Sequence, residues 1–288
     1  MLDAIALTFI KMQSNTLLFI VLAAAFGLVL GSFLNVLIHR IPLIISKESQ
    51  GTSHPVNPSL LIQAVYSPSQ PRSACPGCGH HISALENIPI ISYLLLKGRC
   101  SACNMAIRLR YPIVEALTSV LFGLIAWQFG WSGLTVFSFI LACSLITYCL
   151  IELDSGRPPY EFAPTLVWFG LLCNLGMGFA NLQTAIIATL SGFFIITLLD
   201  WIFHSNLVTE NYADKNLQLI PVIGAWFGLD ALPKLILLAL CLYLVARLFS
   251  FECRKQPHHA NLGMGFFIPI AMLVAAFFND RLENFMLC

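Results

Sequence analysis

Scanning the chain for apolar runs of about 17 to 25 residues, the length that crosses the hydrocarbon core of a bilayer as a helix, finds candidates near 16–38, 112–130, 133–151, 163–181, 184–203, 217–229, 233–250 and 263–279. Composition agrees: hydrophobic residues make up 58%, charged residues 10%, and the mean hydropathy is +0.82. The fold class this predicts is an all-α integral membrane protein of about eight transmembrane helices. The sixth run is short, and Pro221 and Gly224 within it predict a broken or tilted helix, tolerated where neighbours or a cavity satisfy the freed backbone groups. The first run is longer than a signal-peptide core and no small-residue cleavage site follows it, so it stays as a span.

Between the first two runs lies CPGCGHHISALENIPIISYLLLKGRCSACNMAIRLR, residues 75–110. Its two Cys-x-x-Cys pairs, Cys75/Cys78 and Cys100/Cys103, each set two thiolates at the tip of a tight turn. Two such knuckles face to face complete a tetrahedral S4 site suited to Zn²⁺, with no open coordination position. Such a site builds a fold and does not catalyse; two disulfides or free core thiols are the competing reading. The six other cysteines, Cys143, Cys149, Cys173, Cys241, Cys253 and Cys288, are scattered, mostly in apolar runs, where a thiol packs as a small hydrophobe.

The fifteen Lys and Arg residues test the span count. Twelve fall on the side of the Cys-rich loop, against Lys11, Lys234 and Arg281 on the other, and the excess marks the cytosol. A cytosolic knuckle stays reduced and can hold zinc. The loop 152–161 and the loop 210–216 then open on that same side, and both termini face outward. The predicted organisation is residues 1–40 as N-terminal segment and first span, 41–110 as a cytosolic tetracysteine domain, and 111–288 as a polytopic membrane domain. Within 41–110, Ser, Pro and Gln concentrate in 46–73 as a loop, and the apolar segment 85–97 is too short to span, so it packs on the knuckle or lies at the membrane surface. A net charge of +1 argues against a nucleic-acid partner.

Carboxylates near a membrane face single out Glu152, Asp154 and Asp200. Glu152 and Asp154 end the third span, and two helical positions separate them by roughly 200°, so at most one faces inward. Asp200, beside Trp201, reads as an interfacial anchor. LGSFLN (30–35) and NLGMGFF (261–267) lack the context of a nucleotide loop and read as helix packing through small residues. His80-His81 and His258-His259 read as solvated loop pairs, and Arg99, Arg108 and Arg110 as contacts to anionic lipid.

The blocks GSFLNVLIHRIP (31–42), PRSACPGCGH (71–80), ENIPIISYLLLKGRCSAC (86–103), IRLRYPIVEALT (107–118), VWFGLLCNL (167–175) and IGAWFGLDALP (223–233) stand in the order in which they occur in a known family. The chain resembles, over nearly its whole length, the bifunctional type IV prepilin leader peptidases that also N-methylate the new terminus. The resemblance implies a membrane aspartyl peptidase of the bacterial inner membrane. It would cleave basic leaders from prepilins and pseudopilins on the cytosolic face, serving pilus assembly or type II secretion. It also implies S-adenosylmethionine as methyl donor, with no residue assigned to it.

In that family the first catalytic aspartate precedes by seven residues a Pro that Asp usually follows. Counting back from Pro159 ends on Glu152, and Tyr160 follows the Pro. The second is the Asp of a Gly-x-Gly-Asp motif ten residues before the Trp of the GAW block; counting back from Trp226 ends on Asn216, preceded by Ala213, Asp214 and Lys215. Both aspartate positions are substituted. An aspartyl dyad shares one proton between two carboxylates, one activating water and the other donating to the scissile carbonyl. Glu152 keeps a carboxylate, whereas Asn216 exchanges no proton, and losing a general acid or base costs about 10²–10⁴ in rate. A two-residue shift in the loop brings Asp214 into the second position, with Glu152 or Asp154 as partner, although the flanking glycines are missing. Three readings follow: an active peptidase and methyltransferase with an unusual dyad, a non-proteolytic pilin-binding or methyltransferase-only relative, and, from composition alone, a zinc-stabilised membrane scaffold.

Overall fold

The computed structural model of the chain describes residues 15–49, 75, 77–83, 85–155, 159–176, 178–204, 217–252 and 264–285. Its helices are α1 (Thr16–Ser49), the short α2 (Ile91–Leu95), α3 (Arg110–Phe129), α4 (Gly133–Ser155), α5 (Ala163–Gly176), α6 (Leu182–His204), α7 (Ile220–Glu252) and α8 (Met264–Phe285), with a 3₁₀ turn at Tyr160–Phe162. No strand forms among the described residues. The stretches Thr16–Pro42, Arg110–Phe129, Gly133–Ser155 and Ile220–Leu248 are long and apolar enough to cross a membrane, and Ala163–Gly176, Leu182–Leu198 and Gly265–Phe277 are shorter apolar helices. Leu17, Trp168, Leu190, Phe194 and Leu248 each expose more than 60% of their surface. Apolar exposure on that scale suits lipid, not water. The chain is therefore a multi-pass membrane protein.

Local chemistry sets the helix ends. Asn15 caps α1, its Oδ1 accepting the Leu18 amide at 3.2 Å, and Asn181 does the same for α6 through the Gln183 amide at 3.0 Å. Gly130, at φ 56, closes α3 with its N–H on the Ala126 carbonyl. α1 runs to Ser49, beyond the sequence boundary of the first span, because Pro42 does not stop the helix.

The chain divides into two compact units, Met1–Thr135 and Val136–Cys288. In the first, α1 packs on α3. Gly31 of LGSFLN makes the approach possible: a Cβ there would stand 2.7 Å from the Glu115 Cα. Polar ties cross the same seam, Ser119 Oγ to the Ala24 carbonyl at 2.9 Å and Asn35 Nδ2 to the Tyr111 carbonyl at 3.1 Å.

In the second unit α7 packs against α5, α6 and α8, with Trp226, Ile223 and Leu235 fully buried. The sixth and seventh apolar runs join in α7 across one break, at Gly228 (φ 76, ψ −173). Pro221 and Gly224 do not break it. Pro221 lies in the first turn, where its missing N–H costs nothing, and Gly224 lets α7 approach α6, since a Cβ there would meet the Ala188 backbone at 2.6 Å. The break frees two carbonyls, and one side chain satisfies both: Asn174 Nδ2 donates to Ala225 O at 2.8 Å and Trp226 O at 3.1 Å.

Candidate metal centre and carboxylate site

The two cysteine pairs fold as copies of one turn. In the first, the Cys75 amide donates to the His80 carbonyl and the Gly79 amide to the Cys75 carbonyl, both at 2.9 Å; in the second, the Cys100 amide donates to the Met105 carbonyl at 2.9 Å and the Asn104 amide to the Cys100 carbonyl at 3.0 Å. The residue after each pair is left-handed, Gly79 at φ 72 and Asn104 at φ 57. Gly and Asn are the residue types that visit that region most readily. The four sulfurs of Cys75, Cys78, Cys100 and Cys103 all lie within 4.8 Å of one another, and Cys75 Sγ is 3.7 Å from Cys103 Sγ. Zn–S bonds of about 2.3 Å in a tetrahedron put sulfurs about 3.8 Å apart, so the cluster could hold a metal such as zinc.

Electrostatics point the same way. The Gly77 and Cys78 amides, opposed by burial, lower the Cys75 thiol to about 7. At Cys103 the Met105 amide favours the thiolate, but hydrogen bonds with Cys78, Cys75 and Cys100, together with burial, push the thiol up to about 12. The first thiolate forms easily and the last is opposed by its neighbours, so a full set of four calls for a cation in their midst.

Glu86 ties the knuckles together. Its Oε2 accepts the Ser83 amide at 2.8 Å while the Ser83 hydroxyl accepts the Glu86 amide at 3.3 Å, the reciprocal pairing of a capping box. Its Oε1 accepts the Ser101 hydroxyl, and His80 Nε2 stands 3.4 Å from both oxygens. The Ser101 hydroxyl first, then the Ser83 amide, hold the carboxyl down at about 2. His80 is thus paired within the protein, and His81 is exposed.

Between the knuckles, Ile90 adopts φ 59, ψ −48, and the Ile91 amide turns back to the Pro89 carbonyl, a strained γ-turn. Glu115 on α3, 8% exposed, holds it by accepting the Ile90 amide at 2.8 Å. No residue of α2 is buried; Ile91, Leu94 and Leu95 share one open face at 54%, 67% and 77% exposure. Segment 85–97 therefore does not bury its apolar side chains on the knuckle.

The end of α4 separates the two carboxylates as the helical period requires: Glu152 is 4% exposed, and Asp154 is exposed. The Phe266 backbone N–H, in the first turn of α8, is directed at the Glu152 carboxylate, and Cys149 Sγ donates to the Phe266 carbonyl at 3.6 Å. Glu152 Oε2 and the Tyr148 hydroxyl are buried without a hydrogen-bond partner. Glu161, in the 3₁₀ turn before α5, has both carboxylate oxygens enclosed, and the Tyr148 phenol lies in the fields of both Glu152 and Glu161. Asp214 and Asn216 fall outside the described residues, as do His258, His259, Cys253 and Cys288; the Asp200 side chain does too, although α6 carries its backbone. Cys149 and Cys173 are buried and Cys241 is exposed.

Tyr148 and Glu161 do not stand out in the sequence. Tyr148 carries one usable signal, its place four residues before Glu152 on the same helical face. Glu161, beyond the end of α4, carries none.

Comparison with known proteins adds a family. The family model described as Bacterial Peptidase A24 N-terminal domain matches residues 25–129. The chain is 38% identical over 230 residues to a Prepilin leader peptidase/N-methyltransferase of Neisseria gonorrhoeae, covering 78% of this chain and 80% of that one. It is 33% identical over 276 residues to the protein of that name from Stutzerimonas stutzeri, covering 94% of each chain, and 32% identical over 276 residues to that of Pseudomonas aeruginosa, covering 95% of each. No solved structure matches the chain.

Proposed function

Because the chain belongs to the prepilin leader peptidase/N-methyltransferase family, we propose that it removes the leader from type IV prepilins or pseudopilins and methylates the amine this exposes. The observation that carries the reading is the extent of the likeness: a relative bearing that name runs beside 94% of this chain and over 94% of its own length. The chemistry is aspartic-type peptide hydrolysis followed by N-methylation, in the service of pilus assembly or type II secretion.

In this reading Zn²⁺ is held by Cys75, Cys78, Cys100 and Cys103 and is structural, since four thiolates leave no coordination position for substrate. S-adenosylmethionine supplies an electrophilic methyl group to the new terminal amine. The organisation is a first span within 1–40, a zinc domain at 41–110 and a membrane peptidase domain at 111–288. The bacterial inner membrane is its site, with the zinc domain and the peptidase loops cytosolic, an orientation supported by the twelve cations on that side. The open apolar face of α2, with Lys97 and Arg99 close behind it, lies against the lipid surface.

Glu152 serves as one catalytic carboxylate, a role its burial at the end of α4 supports. A second reading takes its support from the substituted positions: with Asn216 in place of an aspartate, the chain methylates or binds pilins without cleaving them. Purified protein in detergent, incubated with a prepilin and S-adenosylmethionine, separates the two when leader loss and methylation are read by mass beside Glu152→Asp/Asn216→Asp. Cleavage by the parent at the rate of the double variant removes the second reading. Methylation of a pre-cleaved pilin with no leader loss removes the first. Abolition of cleavage by Asp214→Ala places Asp214 in the second carboxylate position.

A further inference from the structure

A cavity of about 210 Å³ opens where α7 breaks, with Asn181, Thr184, Gly228, Leu229, Asp230 and Lys234 among its walls. The glycine keeps it open, because a Cβ there would stand 2.9 Å from the Ala180 Cβ and 3.2 Å from the Thr184 hydroxyl. Ala275 of α8 lines it too, nine positions past the Phe266 amide that is directed at Glu152 and so about 13 Å farther along the helix. The cavity therefore does not belong to the carboxylate site.

Its polar groups divide by kind. Asp230 and Lys234 stand four apart on α7, the order in which an acid and a base on a helix ordinarily pair. No ion pair joins them, and neither forms one with any other described residue. Pro233 lacks the N–H that a helix would direct at the Leu229 carbonyl. The Thr184 hydroxyl donates to the Asn181 carbonyl at 2.7 Å and keeps its lone pairs to accept with. Three acceptors, at Thr184, Leu229 and Asp230, thus line one cavity with a cationic donor, Lys234. The space is below the roughly 300–1,000 Å³ that encloses a drug-sized ligand, so it takes a headgroup-sized piece of a larger molecule. From Lys234 the same face of α7 continues through Leu237, Cys241 and Leu244, at spacings of three and four, and all three are exposed.

We propose that the cavity and the strip beside it bind one phospholipid whose headgroup ends in a primary amine, phosphatidylethanolamine being the type. A primary ammonium has three N–H donors for the three acceptors, with Asp230 supplying the opposite charge, and Lys234 meets the phosphate. An acyl chain lies along Leu237, Cys241 and Leu244. A choline headgroup has no N–H to donate, and a glycerol headgroup brings no cation to Asp230, so both fit less well. A soluble zwitterion would use the two charges and leave the strip uncovered. The inference goes beyond the peptidase reading and needs only that the chain lies in a membrane.

The test offers the full chain, stripped of co-purified lipid in detergent, equimolar pairs of lipids and reads what it retains by native mass spectrometry. The pairs are phosphatidylethanolamine with phosphatidylcholine and phosphatidylethanolamine with phosphatidylglycerol. The parent is expected to retain the ethanolamine lipid about tenfold over either competitor. Asp230→Asn brings the ratio against phosphatidylcholine close to one, whereas Lys234→Gln lowers the total lipid retained and keeps the parent's ratio. A ratio taken within one sample does not depend on how much of a variant is folded. A parent ratio within about threefold of one overturns the inference, and so does an Asp230→Asn protein that keeps the parent's ratio. Preference for phosphatidylglycerol overturns it in favour of an anionic lipid. Displacement of the bound lipid by an equal concentration of glycerophosphoethanolamine marks a site for a soluble zwitterion and overturns the lipid assignment.

Discussion

The Glu115 carboxylate accepts the Ile90 amide at 2.8 Å, joining α3 to a strained turn 25 residues earlier in the chain. The Ser32 hydroxyl reaches the same carboxylate from α1, so one acidic side chain links the first helix, the third helix and the cysteine domain. Its burial is explained by these contacts and assigns it no chemistry.

Removing that acceptor leaves a backbone donor with nothing to bind, at a cost of about 1–3 kcal/mol. Glu115→Ala is expected to lower the unfolding temperature in detergent and to open 85–97 to proteases. Glu115→Gln, which keeps an acceptor oxygen, costs less. Equal effects of the two variants would show that the Ile90 contact contributes little.

Cys75→Ser removes one of four thiolates. Bound zinc is expected to fall from about one per chain to a small fraction, because a thiolate site depends on all its charged ligands, and cleavage by added protease should concentrate in 71–110. Full occupancy measured by atomic emission, with unchanged protease resistance, would contradict this.

Acid tests Glu86. Its carboxyl titrates at about 2 in the fold against an ordinary 4.5, so the ionised form is the one the fold favours. Its contribution to stability is complete above pH 4.5 and is lost as pH falls from there through 2. Protection factors for amide exchange across 83–101, taken relative to the intrinsic rate at each pH, should therefore fall in the parent over that window, and Glu86→Gln should show low protection at every pH. Parallel pH profiles in the two proteins would count against the assignment.

The break in α7 makes a paired prediction. Asn174→Ala orphans the Ala225 and Trp226 carbonyls and is expected to destabilise by about 1–3 kcal/mol for each buried acceptor left unpaired. Gly228→Ala forces a Cβ onto a φ of 76 and to within 2.9 Å of the Ala180 Cβ, with backbone strain of order 1–3 kcal/mol. Thermal unfolding of the two single variants and the double variant checks both. A Gly228→Ala protein as stable as the parent would mean that the helix continues straight.

What could be read from the sequence was local. Cys75, Cys78, Cys100 and Cys103 announce a shared site because a Cys-x-x-Cys turn is decided by its own few residues, and the apolar runs announce spans because length and hydropathy suffice. The opposed positions of Glu152 and Asp154 follow from helical period alone. The break at Gly228 was not legible in the same way: whether Pro221 ends a helix depends on where that helix begins, and whether Gly224 or Gly228 bends it depends on what stands opposite, here Ala188 and Ala180. Glu115 beneath Ile90 is a meeting of separate segments, and no spacing in the chain encodes it.

The turns at Gly79 and Asn104 carry a consequence for the order of assembly. Each closes through its own two backbone hydrogen bonds, and each offers two sulfurs before the other is met. A metal arriving at either half finds a pincer already bent, and capture by the second half is then an encounter within one molecule. Zinc held by the four sulfurs would act as a clasp between two finished hooks, and stripping it with a chelator should part the hooks while each keeps its bend.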